Sequence, residues 1–268
     1  MSETAKIPPT SSAPLPPMAA GATGRPATAG QPQRAATPPI RRQFVSFVFY
    51  KLMPEFRRLP ADQQSAMLQE FAALVEANDR QKMILLTYST VGTRPDTDFL
   101  FWRIAFNLDD IQNFQAAINR LPLAGYLTTP YSYLAQTKRS TYIDKLDPSH
   151  DESRTVIKPG KHKYVFVYPF VKKREWYLLS KHARQGIMDE HIEIGNKYQS
   201  VRLNTTYSFG LDDQEFVVAF ETEEPGDFLD LVQELRESEG SRYTERDTPI
   251  FTAVQTPVRE LVKQLAAV

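Results

Sequence analysis

The sequence predicts an α+β fold built from two copies of one unit, and three observations carry that expectation. Strand-like apolar runs and amphipathic helical runs follow one another in the order strand, helix, strand, strand, helix, strand. The same order then recurs, with Phe44 and Tyr164, Phe99 and Phe216, and Tyr131 and Pro249 as matching landmarks about 114 to 120 residues apart. Each copy has the split βαβ arrangement of a ferredoxin-like unit, whose helices cover one sheet face and leave the other bare. Two fused copies bury both bare faces against each other in a barrel-like core.

Residues 1–42 precede the first unit. Within 1–40 lie nine of the twenty prolines and nine alanines, and the first aromatic residue is Phe44. A segment with so little apolar surface to bury cannot offset its ordering entropy, so a disordered Pro/Ala-rich tail is expected. The first unit, 43–139, starts with a strand over 43–52. Pro60 opens a helix with Met67, Phe71, Leu74 and Val75 inward; strands over 83–90 and 99–106 follow. Asp109 and Asp110 complement the dipole of the next helix, which turns Ile111, Phe114, Ile118 and Leu121 inward. A strand over 131–137 closes the unit. A polar, charged linker spans 140–162.

The second unit, 163–256, repeats the pattern. Its strand over 163–171 places Tyr164, Phe166, Tyr168 and Phe170 on one face and Val165, Val167 and Val171 on the other. The valine face suits packing under helices, and the aromatic face suits either a plain core or the lining of a flat apolar cavity. Pro169 lacks an N–H, which predicts a bulge or a local edge at that point. A helix over 180–198, strands over 201–209 and 215–222, a helix opened by Pro225 with Phe228, Leu231, Val232 and Leu235 inward, and a strand over 249–256 complete the copy. Residues 257–268 read as a C-terminal helix.

Composition removes several function classes. The chain has no cysteine, which excludes disulfides, thiolate zinc sites, iron–sulfur clusters and thiolate-bound or CxxCH-attached haem. Formal net charge is zero and the pI is near 6.9, so nucleic-acid binding through a basic face is not expected. No apolar run reaches membrane-span length, and no secretory h-region is visible, so a cytoplasmic protein without membrane association is expected. Any metal must rely on carboxylate, Tyr, Met or one of four histidines: His150, His162, His182 and His191.

Of these, His191 stands out. Ala183, Ile187, His191, Ile194 and Tyr198 form one stripe of the 180–198 helix, which should face the core, whereas His182 falls on the polar face. A histidine on an apolar stripe is either a hydrogen-bonded core residue or, as a neutral inward imidazole, an axial ligand for a metal or haem iron.

Four segments then bear on the choice: Tyr168-Pro-Phe-x-Lys172, Trp176-Tyr177-x-Leu179-Ser180, Glu190-His191-x-x-Ile194-Gly195, and Gly210-Leu211-Asp212-Asp213-x-Glu215-Phe216. Together and in this order they resemble the chlorite dismutase family, whose other large branch is the coproheme decarboxylases. The resemblance spans roughly residues 43–256 and is strongest over 163–253. It implies a dimeric α+β barrel protomer, commonly assembled into a homopentamer, that binds haem b or iron coproporphyrin in its C-terminal half. It also implies that His191 is the proximal iron ligand, with Glu239 a candidate second partner of that imidazole and a surface ion pair as the competing reading of Glu239. Tyr168 matches the radical-relay tyrosine of the decarboxylases and Lys172 the lysine near it; the competing reading of Lys172 is a solvated cluster with Lys173 and Arg174. Phe170 stands where those proteins usually carry methionine. Chlorite dismutases place an arginine seven residues before the glycine of the Gly-Leu-Asp-Asp turn, and here that position is Leu203. Arg202, one step along a strand, points to the opposite face.

The reading that follows is a haem-dependent oxidoreductase, in its most specific form a peroxide-driven decarboxylase converting coproheme to haem b, with porphyrin and a small oxidant as partners. Chlorite dismutation is the enzymatic alternative, and a non-catalytic haem-binding relative is a third. A ferredoxin-like repeat binding single-stranded RNA on the 164–170 aromatics is the contrasting class.

Overall fold

The computed structural model describes residues 41–143 and 155–265. The expected tail, apart from its last two residues, lies outside the described residues, as do His150 in the linker and the last three residues of the C-terminal helix. Nine strands form one sheet: β1 (Phe44–Leu52), β2 (Met83–Ser89), β3 (Phe99–Ala105), β4 (Leu127–Gln136), β5 (Tyr164–Lys172), β6 (Arg202–Tyr207), β7 (Phe216–Thr222), β8 (Thr244–Arg246) and β9 (Phe251–Gln255). Their order is β7-β6-β4-β1-β3-β2-β9-β5-β8, and a further β5–β7 ladder closes the sheet on itself. Ladders between these strands are antiparallel. This is the barrel of two fused ferredoxin-like units. Among the described residues, closure leaves no long unpaired strand edge.

The interior shows why neither half has a complete core of its own. Val45, Phe47, Phe49, Leu100 and Trp102 from the first half pack against Val165, Val167, Val217, Ala219 and Phe251 from the second. Outside the barrel, α1 (Ala61–Glu76) and α2 (Leu108–Asn119) cover the first half, burying Phe71, Ile111 and Phe114 over Phe99 and Phe101. The amphipathic α6 (Val258–Leu265) adds Val258, Leu261 and Leu265 to that same layer. On the second half the outer layer is supplied by α4 (Lys181–Lys197) and α5 (Pro225–Glu237), through Ile194, Phe228 and Leu231.

Several expectations need correction. The valines of β5 do not lie under helices: Val165 and Val167 point into the barrel, while Phe166 and Tyr168 sit under α4 and α5. Inside the barrel the small valines of β5 pack against the rings of Phe47, Phe49, Trp102 and Phe251, while the β5 rings fill the layer between sheet and helices. The closing strand of the second half is shorter than 249–256, and the three-residue β8 precedes it. β4 begins at Leu127 rather than 131. A short α3 (Arg174–Leu178) connects β5 to α4.

The two halves join at two seams of unequal strength. Between β2 and β9, Tyr88 pairs with Gln255 and Ser89 with Val254. Between β4 and β6, only Gln136 and Tyr207 pair. Side chains complete this second seam. Asp212 Oδ2 accepts from Leu134 N at 2.7 Å and from Gln214 Nε2 at 2.9 Å. The turn that delivers Asp212 is set by Gly210 at φ +72°, a left-handed conformation in which a Cβ is disfavoured. No helix among the described residues is long and apolar enough to cross a membrane.

Candidate functional site

The site candidate lies on the outer face of the second half, between α4 and the β5–β6–β7 surface. Ser180 caps α4, its side chain accepting from Ala183 N at 3.2 Å. The predicted stripe is only partly inward: Ile194 is buried, Ile187, His191 and Tyr198 are half-buried, and Ala183 is exposed. His182 is exposed, as its place on the polar face requires.

His191 is poised as a neutral base. Burial, reinforced by the nearby Lys172 charge, pushes its pKa down to about 4. Neither ring nitrogen has a hydrogen-bond partner among the described residues. A β-carbon built on Gly240 stands 3.9 Å from His191 Nδ1, so the short turn Glu239–Tyr243 packs beside the ring. That turn is fastened from two sides. Glu239 N donates to Glu190 Oε2 at 3.1 Å, and Lys172 Nζ donates to Gly240 O at 3.0 Å. The Glu239 carboxylate lies 3.7 Å from the Arg242 guanidinium, a surface ion pair.

Lys172 is half-buried rather than one of a solvated cluster; Lys173 and Arg174 are the exposed pair. Its ammonium lies 4.7 Å from the Trp176 ring centroid and 5.2 Å from that of Phe170. Burial lowers its pKa to about 8, with Glu215 acting in the opposite sense. Glu215 Oε2 braces this corner by accepting from Lys172 N at 2.8 Å and Tyr177 Oη at 2.5 Å.

Tyr168 is 9% exposed, and its ring runs nearly parallel to Phe220 at 6.0 Å. Burial, with a smaller contribution from the Asp247 charge, raises its pKa beyond the usual phenol range, so the phenol keeps its proton. The irregularity expected at Pro169 is a local edge. The β9 ladder stops at Val167 and the β8 ladder starts at Val171, so Pro169 pairs only with Val217 of β7. Leu203 is 45% exposed and pairs with Phe220, which places it on the same outer face as Tyr168. Arg202 pairs with the fully buried Glu221, one step over on the opposite face.

Sequence reading missed the Glu239–Tyr243 turn, because a run of small and charged residues after a helix carries no apolar period. The only signal was Gly240 itself. A groove between α4 and α5 is lined by Glu190, Glu193, Glu234 and Glu237 beside Lys197, a surface that repels anions.

Residues 64–256 match the family model described as chlorite dismutase. The chain belongs to the chlorite dismutase family. A coproheme decarboxylase from Mycolicibacterium smegmatis is 29% identical over 224 residues, covering 83% of this chain and 94% of that relative. A second, from Staphylococcus carnosus, is 28% identical over 205 residues, covering 70% and 82% respectively. Among solved structures, a chlorite dismutase variant from Candidatus Nitrospira defluvii superposes with a TM-score of 0.75 at 27% identity, covering 83% of this chain and 94% of that one. A heme-binding protein from Thermus thermophilus superposes with a TM-score of 0.73 at the same identity and coverage. Membership in the chlorite dismutase family thus spans both halves of the barrel.

Proposed function

We propose that this protein is a haem-dependent oxidoreductase whose reaction is the peroxide-driven oxidative decarboxylation of coproheme to haem b, with residues 163–256 as the porphyrin-carrying half. The observation that carries this reading is the pairing of a neutral, unpartnered imidazole at His191 with a buried, protonated phenol at Tyr168 on the sheet face opposite α4. The two curated relatives named as coproheme decarboxylases support it.

The residues present fit the group. An iron porphyrin needs a neutral imidazole with a free lone pair, and a His191 pKa near 4 supplies one throughout the physiological range. It needs an apolar wall, which Phe170, Val218 and Leu203 provide. When bound, the iron supplies the redox chemistry that activates peroxide.

Each residue of the chain then has a defined task. His191 would hold the iron from α4. Tyr168 would relay a hydrogen atom from a substrate propionate toward the peroxide oxidant, each propionate becoming a vinyl group with release of one carbon dioxide while one peroxide is reduced to two waters. Lys172 places a cation at the same corner, where it attracts a carboxylate. Leu203 keeps the face above β6 apolar and without a guanidinium, which favours the decarboxylase branch over chlorite turnover. Assembly with further copies of the chain into a pentamer and a cytoplasmic setting belong to the same proposal.

Two variants test it. His191→Ala should lose the histidine-ligated Soret spectrum with the fold intact by circular dichroism. Tyr168→Phe should bind iron coproporphyrin as the parent does, yet release no carbon dioxide when peroxide is added, with porphyrin masses as the readout. Full conversion to haem by Tyr168→Phe would leave the phenol structural and the mechanism without its relay.

A further inference from the structure

The helix that carries His191 has two interior glycines, Gly186 and Gly195, and neither is explained by the protein around it. A β-carbon built at either position meets nothing within 4 Å, and neither has positive φ. No close packing and no backbone conformation demands glycine there, although each weakens a helix relative to alanine. Their positions separate them. Gly195 follows His191 by four residues and shares its face, whereas Gly186 precedes it by five, about 140° around the helix. Helical side chains lean toward the N-terminus, so any side chain at 195 would lie over the turn that presents His191. Ile194, on one flank of the same turn, is packed into the layer under α4, whereas position 195, on the other flank, is exposed.

We propose that Gly195 is a specificity-determining residue: its missing side chain keeps the ground beside His191 flat enough for a rigid planar macrocycle to reach the imidazole. This rests on the reading of His191 as an axial ligand and adds a requirement that the ligand residue alone does not impose. A small ligand such as imidazole-binding metal ions would be insensitive to position 195, whereas a porphyrin, extending on all sides of its axial bond, would not be. Gly186, on the far face, is the built-in control.

The experiment compares Gly195→Leu with Gly186→Leu. Both replace a helix-weakening residue at an open position, so both apo proteins should melt about 1–4 °C above the parent. Titration with haem and with iron coproporphyrin, followed through the Soret band, should then separate them. Gly195→Leu should bind about 10- to 100-fold more weakly, the usual scale of a steric mismatch. Gly186→Leu should bind as the parent does, and Co²⁺ affinity should be the same in all three. Equal porphyrin affinities across the three proteins would overturn the role of Gly195 while leaving His191 ligation intact. Equal losses in both variants would overturn it too, by showing that helix flexibility rather than a flat face governs binding. A parent spectrum unchanged by His191→Ala would remove the axial-ligand reading, and this inference with it.

Discussion

A lysine ammonium half-buried against Trp176 opposes folding, and the direction of its titration says where. Burial holds Lys172 near 8 in the folded protein, against 10.5 in its absence. Between those two values the unfolded chain binds a proton that the folded chain has released, so stability rises as pH climbs from about 8 to about 10.5. Below pH 8 the cost is present in full. Lys172→Met keeps the apolar stem and removes the charge, so the apo variant should melt above the parent at pH 7, with the advantage shrinking toward pH 10.5. A variant that melts lower at pH 7 would mean that the bond to Gly240 outweighs the buried charge. The same substitution should raise the His191 pKa, because the Lys172 charge helps to depress it. The second residue-scale expectation concerns Leu203. An oriented charged donor over a reacting oxyanion typically changes rate by about 100- to 1000-fold. Leu203 itself offers none, and its neighbour Arg202 pairs with Glu221 on the opposite face. Dioxygen release from chlorite should therefore be slow, and Leu203→Arg should accelerate it; rapid release by the parent would show that another cation serves. The inward place of His191 on α4 was legible from sequence because the helical period singles it out. The path of the Glu239–Tyr243 turn was not, because it is set by what α4 and β5 offer it.

At the scale of elements, the weak place in the barrel is the seam between β4 and β6. A ladder of one residue pair cannot hold two strands, and the Asp212 side chain stands in for the missing backbone acceptor. Asp212→Ala would leave Leu134 N short of its partner in a half-buried setting, at a cost of about 1–3 kcal/mol, while Gln214 Nε2 keeps Ser208 Oγ. The melting temperature should fall by several degrees, and exchange of the Leu134 amide should quicken before that of Phe47 or Phe101. Protection at Leu134 equal to the parent's would show that the hairpin holds β4 without this bond. The sequence marked the turn at Gly210–Asp213 but not its task, since a side chain bonding to a strand some eighty residues earlier leaves no local pattern. The same limit explains the inverted faces of β5. Alternation tells which residues share a face, and with valine on one and aromatics on the other, both faces are apolar. Which one meets helices is decided by the strands and helices that pack across from it, far away in sequence.

At the scale of the whole molecule, the repeat was legible because the two copies share an order of elements and matching landmarks, and barrel closure follows from two bare sheet faces that must be buried. The three-residue β8 and the short α3 escaped because neither is long enough to show a period. The closed barrel also bears on how far the proposed boundaries at 43–139 and 163–256 describe separable units. Val165, Val167, Val217 and Ala219 have their packing partners in β1 and β3, so a fragment holding the second half alone would expose the face that they form. Large exposed apolar faces are not tolerated in a stable monomer, and the missing contacts include the fully buried Trp102 and Phe47. The two halves should therefore unfold together. Calorimetry of the apo protein should show one endotherm whose calorimetric and van't Hoff enthalpies agree, and an isolated 163–256 fragment should lack the dispersed amide spectrum of a folded domain. Two separated transitions, or a fragment with native-like dispersion, would establish that the repeat folds as two autonomous domains and that the shared interior forms only after each is complete.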